Sequence, residues 1–334
     1  MTHNEIQKIC ESFNLGCPLS PPTRVYGGLL HLMWRLDTET GSYAIKQLSK
    51  DIYLSEATIT QYELTENIAR QFAAHGIPAI LSLANNGQSL IYSGENTFIT
   101  YPWKKAKPLD NDAVSIVHAT KVASLLAKMH LLHLSVPEIT EPTYDIYSSN
   151  KLISVLIEKS VEVSLPFANT LQNSKVMMLE ANEKYQQAIP ILNQSLVVSH
   201  ADLDPKNVLW DENNNPFLID WESARALNST SEILNAALEW SGVTTCSIDK
   251  DIFVAMITAY KKAGGIMNAK DLGAFFDGIP GYCLHWMVYN IQRSLGMKGS
   301  TLEDKTMGIE QVNQVLQVID YLNNTKDELI KLAY

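Results

Sequence analysis

The chain has 334 residues, 46% hydrophobic and 19% charged, with a formal net charge of −10, a composition that excludes a disordered or fibrous protein. Up to residue 105 there are eight Lys and Arg against nine Asp and Glu, and beyond it 18 against 27. The acidity therefore lies in the C-terminal two-thirds and argues against nucleic acid or an anionic membrane as partner.

No apolar run reaches the roughly 20 residues of a membrane span. Residues 1–15 read as an amphipathic helix without the apolar core of a secretion signal. Cys10, Cys17, Cys246 and Cys283 lack CxxC spacing and suggest neither zinc nor a disulfide framework. A reduced, cytoplasmic protein is the expectation.

Arg24–Tyr26 leads as a strand into Gly27-Gly28, and a second strand spans Leu29–Leu36. The polar turn Asp37–Gly41 then returns to Ser42–Lys46, a hairpin pattern. Residues 56–74 carry helical spacing (Ile59, Tyr62, Ile68, Phe72) and stop at His75-Gly76 before Pro78. Ala79–Leu83 and Asn96–Tyr101 read as two further strands around the Asn85-Asn86-Gly87 turn. Residues 104–108 are polar, contain Pro108, and read as a linker.

Beyond the linker the pattern is mainly helical. A long helix begins near Asp110, with Ile116, Val122, Leu125, Leu126, Met129 and Leu132 on one stripe. Further helices are predicted near 150–164, 168–188, 230–241, 249–263, 268–296 and 305–331. Short β-like runs at Ser195–His200, Asn207–Trp210 and Pro216–Asp220 interrupt them.

That interruption carries the chemistry. It reads V-V-S-H-A-D-L-D-P-K-N-V-L-W, then F-L-I-D-W-E after one turn. Phosphoryl transfer needs positioning and charge neutralisation more than covalent chemistry. One carboxylate must take the acceptor's proton, while a second carboxylate and an amide oxygen hold Mg2+ against a triphosphate. Asp202 at the loop turn and Asn207 entering the next strand supply the first carboxylate and the amide. Asp220, at the end of the returning strand, supplies the second carboxylate. A surface hairpin with Asp and Asn as mere turn formers would leave His200 and Asp220 at strand ends unexplained.

The segment resembles the catalytic region of the aminoglycoside phosphotransferase family, usually His-Gly-Asp-x-x-x-x-Asn followed by Ile-Asp-Trp-Glu. The resemblance covers most of the chain and is strong at residues 196–225. It implies an ATP- or GTP-dependent kinase of small molecules with an α+β, protein-kinase-like fold. The N-lobe (1–103) would be a small sheet with one helix, and the C-lobe (109–334) mostly helical, with the catalytic hairpin facing the cleft between them. By the resemblance Asp202 is the catalytic base, Asn207 and Asp220 are the Mg2+ ligands, and His200 braces the loop. Ala201 for Gly, with Asp204 and Lys206 inside the loop, departs from the usual pattern and bears on the acceptor pocket.

Gly27-Gly28 resembles the family's phosphate-covering turn, where missing Cβ atoms let backbone N–H groups approach phosphate. Lys46 closes its strand as the phosphate-gripping lysine of kinase folds does. Glu56, Glu63 and Glu66 are eligible to hold it, and Glu63 is favoured by its distance from the helix end. Tyr101 and Trp103, on the strand between the lobes, are placed to flank the nucleotide base. On the late helix His285, Tyr289 and Arg293 recur every four residues, with Trp286 and Asn290 on a neighbouring face. Similar helices in the family lie near the acceptor, whereas a core helix would place these aromatics for packing. Glu239-Trp240 and Asp249/Asp251 are further candidate cation contacts.

The expected activity is γ-phosphoryl transfer to a hydroxyl of a small molecule, with a cationic amine expected on that acceptor because the C-lobe is acidic. The rivals are a protein kinase, against which there is no Asp-Phe-Gly or Ala-Pro-Glu, and a catalytically silent nucleotide-binding protein on the same fold.

Overall fold

A computed structural model describes residues 1–26, 31–49, 55–139, 143–299 and 301–334. The Gly27-Gly28 turn lies outside the described residues. Contacts divide the chain into two compact units: residues 1–109 with 206–224, and 110–205 with 225–334.

The first unit opens with α1 (His3–Phe13), started by a capping box between Thr2 and Glu5. There follow β1 (Thr23–Val25), β2 (Leu32–Thr38), β3 (Gly41–Gln47), α2 (Glu56–Ala74), β4 (Leu90–Ser93) and β5 (Asn96–Pro102). The strands form an antiparallel sheet in the order β1-β2-β3-β5-β4. Alternation along β3 decides what each face carries. Ile45 packs with Ile9, Leu36 and Phe98 against α1, all fully buried. Leu48 lies with Ile99 and with Ile59 and Tyr62 of α2 on the other face. Lys46, paired with Ile99 in the register, shares that second face.

One sequence expectation about the sheet needs correction. Ala79–Leu83 is no strand: after Pro78, which lacks an N–H, it makes single links from Ile80 N–H to Leu218 O and from Leu83 N–H to Thr100 O. The strand that pairs with β5 is instead β4.

The helical unit follows the sequence except at its first long helix, which begins at Ile116 behind a separate turn at Asn111–Ala113 and not near Asp110. It holds α3 (Ile116–Leu131), α4 (Asn150–Glu162) and α5 (Ala168–Leu192), then the short strand β6 (Leu196–Ser199). The hairpin β7 (Val208–Trp210) and β8 (Pro216–Leu218) belongs by contact to the first unit. The sequence reading put it with residues 109–334. Two isolated bridges explain the difference, Lys107 with Trp210 and Ala79 with Leu218, so the expected linker at 104–108 is pinned to β7. The chain then returns through β9 (Arg225–Asn228), which pairs with β6, to α6 (Ser229–Ser241), α7 (Lys250–Lys262), α8 (Ala269–Ser294) and α9 (Leu302–Ala333).

Fully buried Leu171, Met178, Leu284, Ile291 and Ile319 make the core between α5, α8 and α9. Gly281 permits the close approach there, since a Cβ would run into the Ala181 carbonyl of α5. Among the described residues no helix is long and apolar enough to cross a membrane.

Candidate active site

In the sheet unit Lys46 is the centre of an ion cluster. It is buried, with its side chain 7% exposed, and its Nζ donates to Asp220 Oδ1 at 2.6 Å and to Glu222 Oε2 at 2.7 Å. Asp220 sits just beyond β8 in the left-handed region, φ 64°, a conformation that a short polar side chain tolerates better than most. His31 completes the cluster. Its Nδ1 accepts the Ser49 N–H at 3.1 Å, so its proton lies on Nε2, which donates to Glu222 Oε2 at 2.9 Å. Burial alone would lower the Lys46 pKa, but the two carboxylates more than offset it and hold the ammonium well above its ordinary value. Burial alone would raise that of Glu222, and the His31 N–H and Lys46 hold it low instead.

The expected Lys46–Glu63 pair is not made. The Glu63 carboxylate accepts the backbone N–H groups of Ser89 and Leu90 and so fixes the start of β4. Glu66 accepts the Tyr101 hydroxyl at 2.5 Å, and Glu56 lies exposed in the first turn of α2. Tyr101 thus turns its hydroxyl to α2, and the Trp103 ring lies 4.9 Å from the Arg35 guanidinium. Asn207 is buried at the start of β7, and its carbonyl accepts the Ile219 N–H at 3.0 Å. That bond ties the segment bearing Asn207 to the one bearing Asp220. An amide oxygen and a carboxylate are hard oxygen donors of the kind that suits Mg2+. Among the described residues no cluster of three or more His, Cys, Asp or Glu is placed to hold a metal.

In the helical unit the half-buried Asp202 sits on a loop clamped by α6. The Ala201 N–H donates to Glu232 Oε1 at 2.7 Å, and Trp240 Nε1 donates to Leu203 O at 2.9 Å. Both neighbours of Asp202 are thereby fixed through backbone atoms. Glu232 also takes the Nε2–H of buried His130 at 2.6 Å, and Tyr260 Oη lies 2.7 Å from His130 Nδ1. Burial alone would raise the Glu232 pKa; the His130 bond and charge, with the Ala201 N–H, keep it low. Ala201 has φ 65°, which costs a non-glycine residue roughly 1–2 kcal/mol. His200 is fully buried at the end of β6. Glu232, His130 and Tyr260 escaped the sequence reading, although a Glu beside Ile233-Leu234 on an apolar helix was the available signal.

An open cleft in this unit is lined by Ala201 and Leu203 and by Tyr144, Tyr185, Arg225 and Tyr282. Arg225 Nη2 donates to Tyr282 Oη at 3.3 Å. The Tyr185 hydroxyl, on a residue 1% exposed, has no hydrogen-bond partner among the described residues.

Of the late-helix candidates, Arg293 pairs with Asp304 of α9 at 2.8 Å and Trp286 Nε1 donates to Gln311 of α9. These residues lock α8 to α9. Asp249 caps α7, and Trp240 braces the loop as described. His285 packs edge-on among Tyr147, Tyr185 and Tyr282, and neither ring nitrogen has a hydrogen-bond partner among the described residues. Burial holds its pKa down to about 4, against an ordinary 6.5. The unfolded chain takes up this proton below pH ~6.5 and the folded chain does not until pH ~4. Stability is therefore complete above pH ~6.5 and falls by up to ~3 kcal/mol as the pH drops through that window. Chemical denaturation of the wild type and of His285→Phe at pH 7 and pH 4.5 checks this. The variant should lose less stability on acidification, and equal losses would remove His285 from this role.

A model of the phosphotransferase enzyme family matches residues 23–256, more than two-thirds of the chain. Among solved structures, spectinomycin phosphotransferase in complex with ADP and spectinomycin has a TM-score of 0.67 at 14% identity, over 91% of this chain and 93% of its own. The choline kinase LicA from Streptococcus pneumoniae gives 0.63 at 16% identity, over 95% and 98%. An ethanolamine kinase from Plasmodium vivax gives 0.58 at 15%, over 88% and 80%. At such identities the likeness establishes the fold, which is protein-kinase-like. No sequence match was found among curated proteins.

Proposed function

This chain belongs to the phosphotransferase enzyme family, and from that premise we propose that it transfers the γ-phosphoryl group of ATP or GTP to a hydroxyl of a small molecule. The observation that carries the reading is the buried Lys46 held by Asp220 and Glu222. It unites a strand lysine with the carboxylate that ends the catalytic hairpin, although 174 residues separate them in sequence.

In this reading Asp202 orients the acceptor hydroxyl and takes its proton as the O–P bond forms. Lys46 donates to the phosphates, and Asn207 and Asp220 hold Mg2+, which when bound neutralises charge on the triphosphate. The end of β5, with Tyr101 and Trp103, takes the nucleotide base. The role of the Gly27-Gly28 turn is to cover the phosphates.

For the acceptor we keep a cationic amine as the first reading, because the C-terminal two-thirds is acidic and tyrosine rings line the cleft beside Asp202. Arg225 in the same lining favours a second reading, an acceptor with an anionic group.

A coupled nucleotide-consumption screen over hydroxylated amines, neutral sugars and hydroxy acids, with product mass as readout, tests both. A cationic acceptor should lose several-fold in kcat/KM between about 20 and 500 mM salt at saturating ATP. A flat dependence, or a neutral or anionic best acceptor, would end the first reading. Turnover of none of the panel, with no phosphorylated product, would count against the transfer itself.

A further inference from the structure

We infer that Glu222 is the positioning residue for Lys46, doing from the catalytic hairpin what a helix glutamate would do from α2. The inference rests on the reading of Lys46 as the phosphate-binding lysine.

Four observations meet here. Lys46 Nζ donates to Glu222 at 2.7 Å. The carboxylate of Glu222 is itself aimed by the His31 Nε2–H, whose tautomer is set by the Ser49 N–H on Nδ1. The glutamates of α2 that lie in the fold are engaged elsewhere, Glu63 on the β4 backbone and Glu66 on the Tyr101 hydroxyl. The segment carrying Glu222 is anchored, since buried Trp221 beside it stacks on Phe72 of α2 with ring centroids 5.5 Å apart.

The chemistry gives a reason for two carboxylates on one ammonium. A lysine ammonium has three N–H donors. With one on Asp220 and one on Glu222, the third is left for a phosphate oxygen. Asp220 also has a metal to serve, and turning toward it weakens its hold on the lysine. Glu222 has the His31 N–H and Lys46 as its partners, so it keeps the ammonium in place through that exchange. A buried lysine deprived of both carboxylates would swing or lose its charge.

The test is a double-mutant cycle read by nucleotide affinity as well as by turnover. Binding of a fluorescent ADP analogue and the steady-state KM for ATP are measured for wild type, Glu222→Gln, Lys46→Met and the double variant, with thermal melts as a check on folding. Glu222→Gln should weaken nucleotide binding at least tenfold and lower kcat, and in the Lys46→Met background the same change should cost less than twofold. Losses that multiply independently in the double variant would overturn the inference. Glu66→Gln supplies the rival outcome: if it, and not Glu222→Gln, shows coupling to Lys46, the lysine turns to α2 when nucleotide binds and Glu222 is not its positioner. Should Lys46→Met bind the analogue as tightly as wild type, the underlying reading of Lys46 fails, which is separable from a failure of Glu222 alone. If Glu222→Gln melts without a folded baseline, Glu222→Asp replaces it in the cycle. The shorter carboxylate should then weaken binding where Lys46 is retained and have no effect in the Lys46→Met background, and equal losses in the two backgrounds would overturn the inference.

Discussion

Asp202→Asn is expected to reduce phosphoryl transfer by about three orders of magnitude or more while leaving the melting temperature and nucleotide affinity close to those of the wild type. General-base action supplies roughly 10²–10⁴ of rate, and misorientation of the acceptor hydroxyl adds to it. The change is nearly isosteric. The loop's anchors to α6 use the Ala201 N–H and the Leu203 carbonyl, neither of which the substitution touches, so the effect falls on chemistry and not on folding. Single-turnover rates at saturating ATP and acceptor, set beside thermal melts, make the comparison. A variant retaining more than a tenth of the wild-type rate would remove Asp202 from the role of base.

Asp220→Ala is expected to abolish the stabilisation that Mg2+ and ATP together confer. A ligand at 100 times its Kd stabilises a protein by about 2.7 kcal/mol, a shift a melting experiment reads easily. In the proposed reading, loss of the Asp220 carboxylate would leave Asn207 to hold the metal with solvent and phosphate. The free protein should still fold, because Lys46 keeps its bond to Glu222 and is not left as a bare buried charge. Melts with and without Mg2+ and ATP decide the matter: if the nucleotide protects Asp220→Ala as well as it protects the wild type, the metal assignment is wrong.

The helices were legible because each buries one stripe, and periodicity records that directly. Glu56–Ala74 and Lys250–Lys262 lie within a residue or so of their expected bounds. Two of the short strands were not. Leu90–Ser93 and Arg225–Asn228 have four residues each, too few for alternation to stand out, and the partner of β6 is set by a pairing across some thirty positions of sequence. The candidate positions Lys46, Asp202, Asn207 and Asp220 stand out in the sequence because phosphoryl transfer restricts the residue type and the motif restricts the spacing. What supports them was harder to read. A helical period shows which glutamates on α2 are eligible for Lys46, but the carboxylates that reach it come from positions 220 and 222, and only the folded unit brings them to the lysine. Trp240 looked like a surface cation contact and is instead a buried donor to the loop, a role that depends on where α6 crosses residues 201–203.

The assignment of residues 206–224 to the sheet unit has a consequence for how the chain is made. The ribosome delivers residues 1–109 long before the hairpin that bridges to Lys107 and Ala79. At typical synthesis rates of about 5–20 residues per second, the intervening stretch of nearly a hundred residues takes roughly 5–20 s to emerge. For that interval the nascent sheet lacks the partners of Lys107 and Ala79, the ring that stacks on Phe72 and both carboxylates of Lys46. An ammonium made to be buried among anions must wait in water until they arrive, so the unit that begins to leave the ribosome first cannot finish folding until residue 224 has followed.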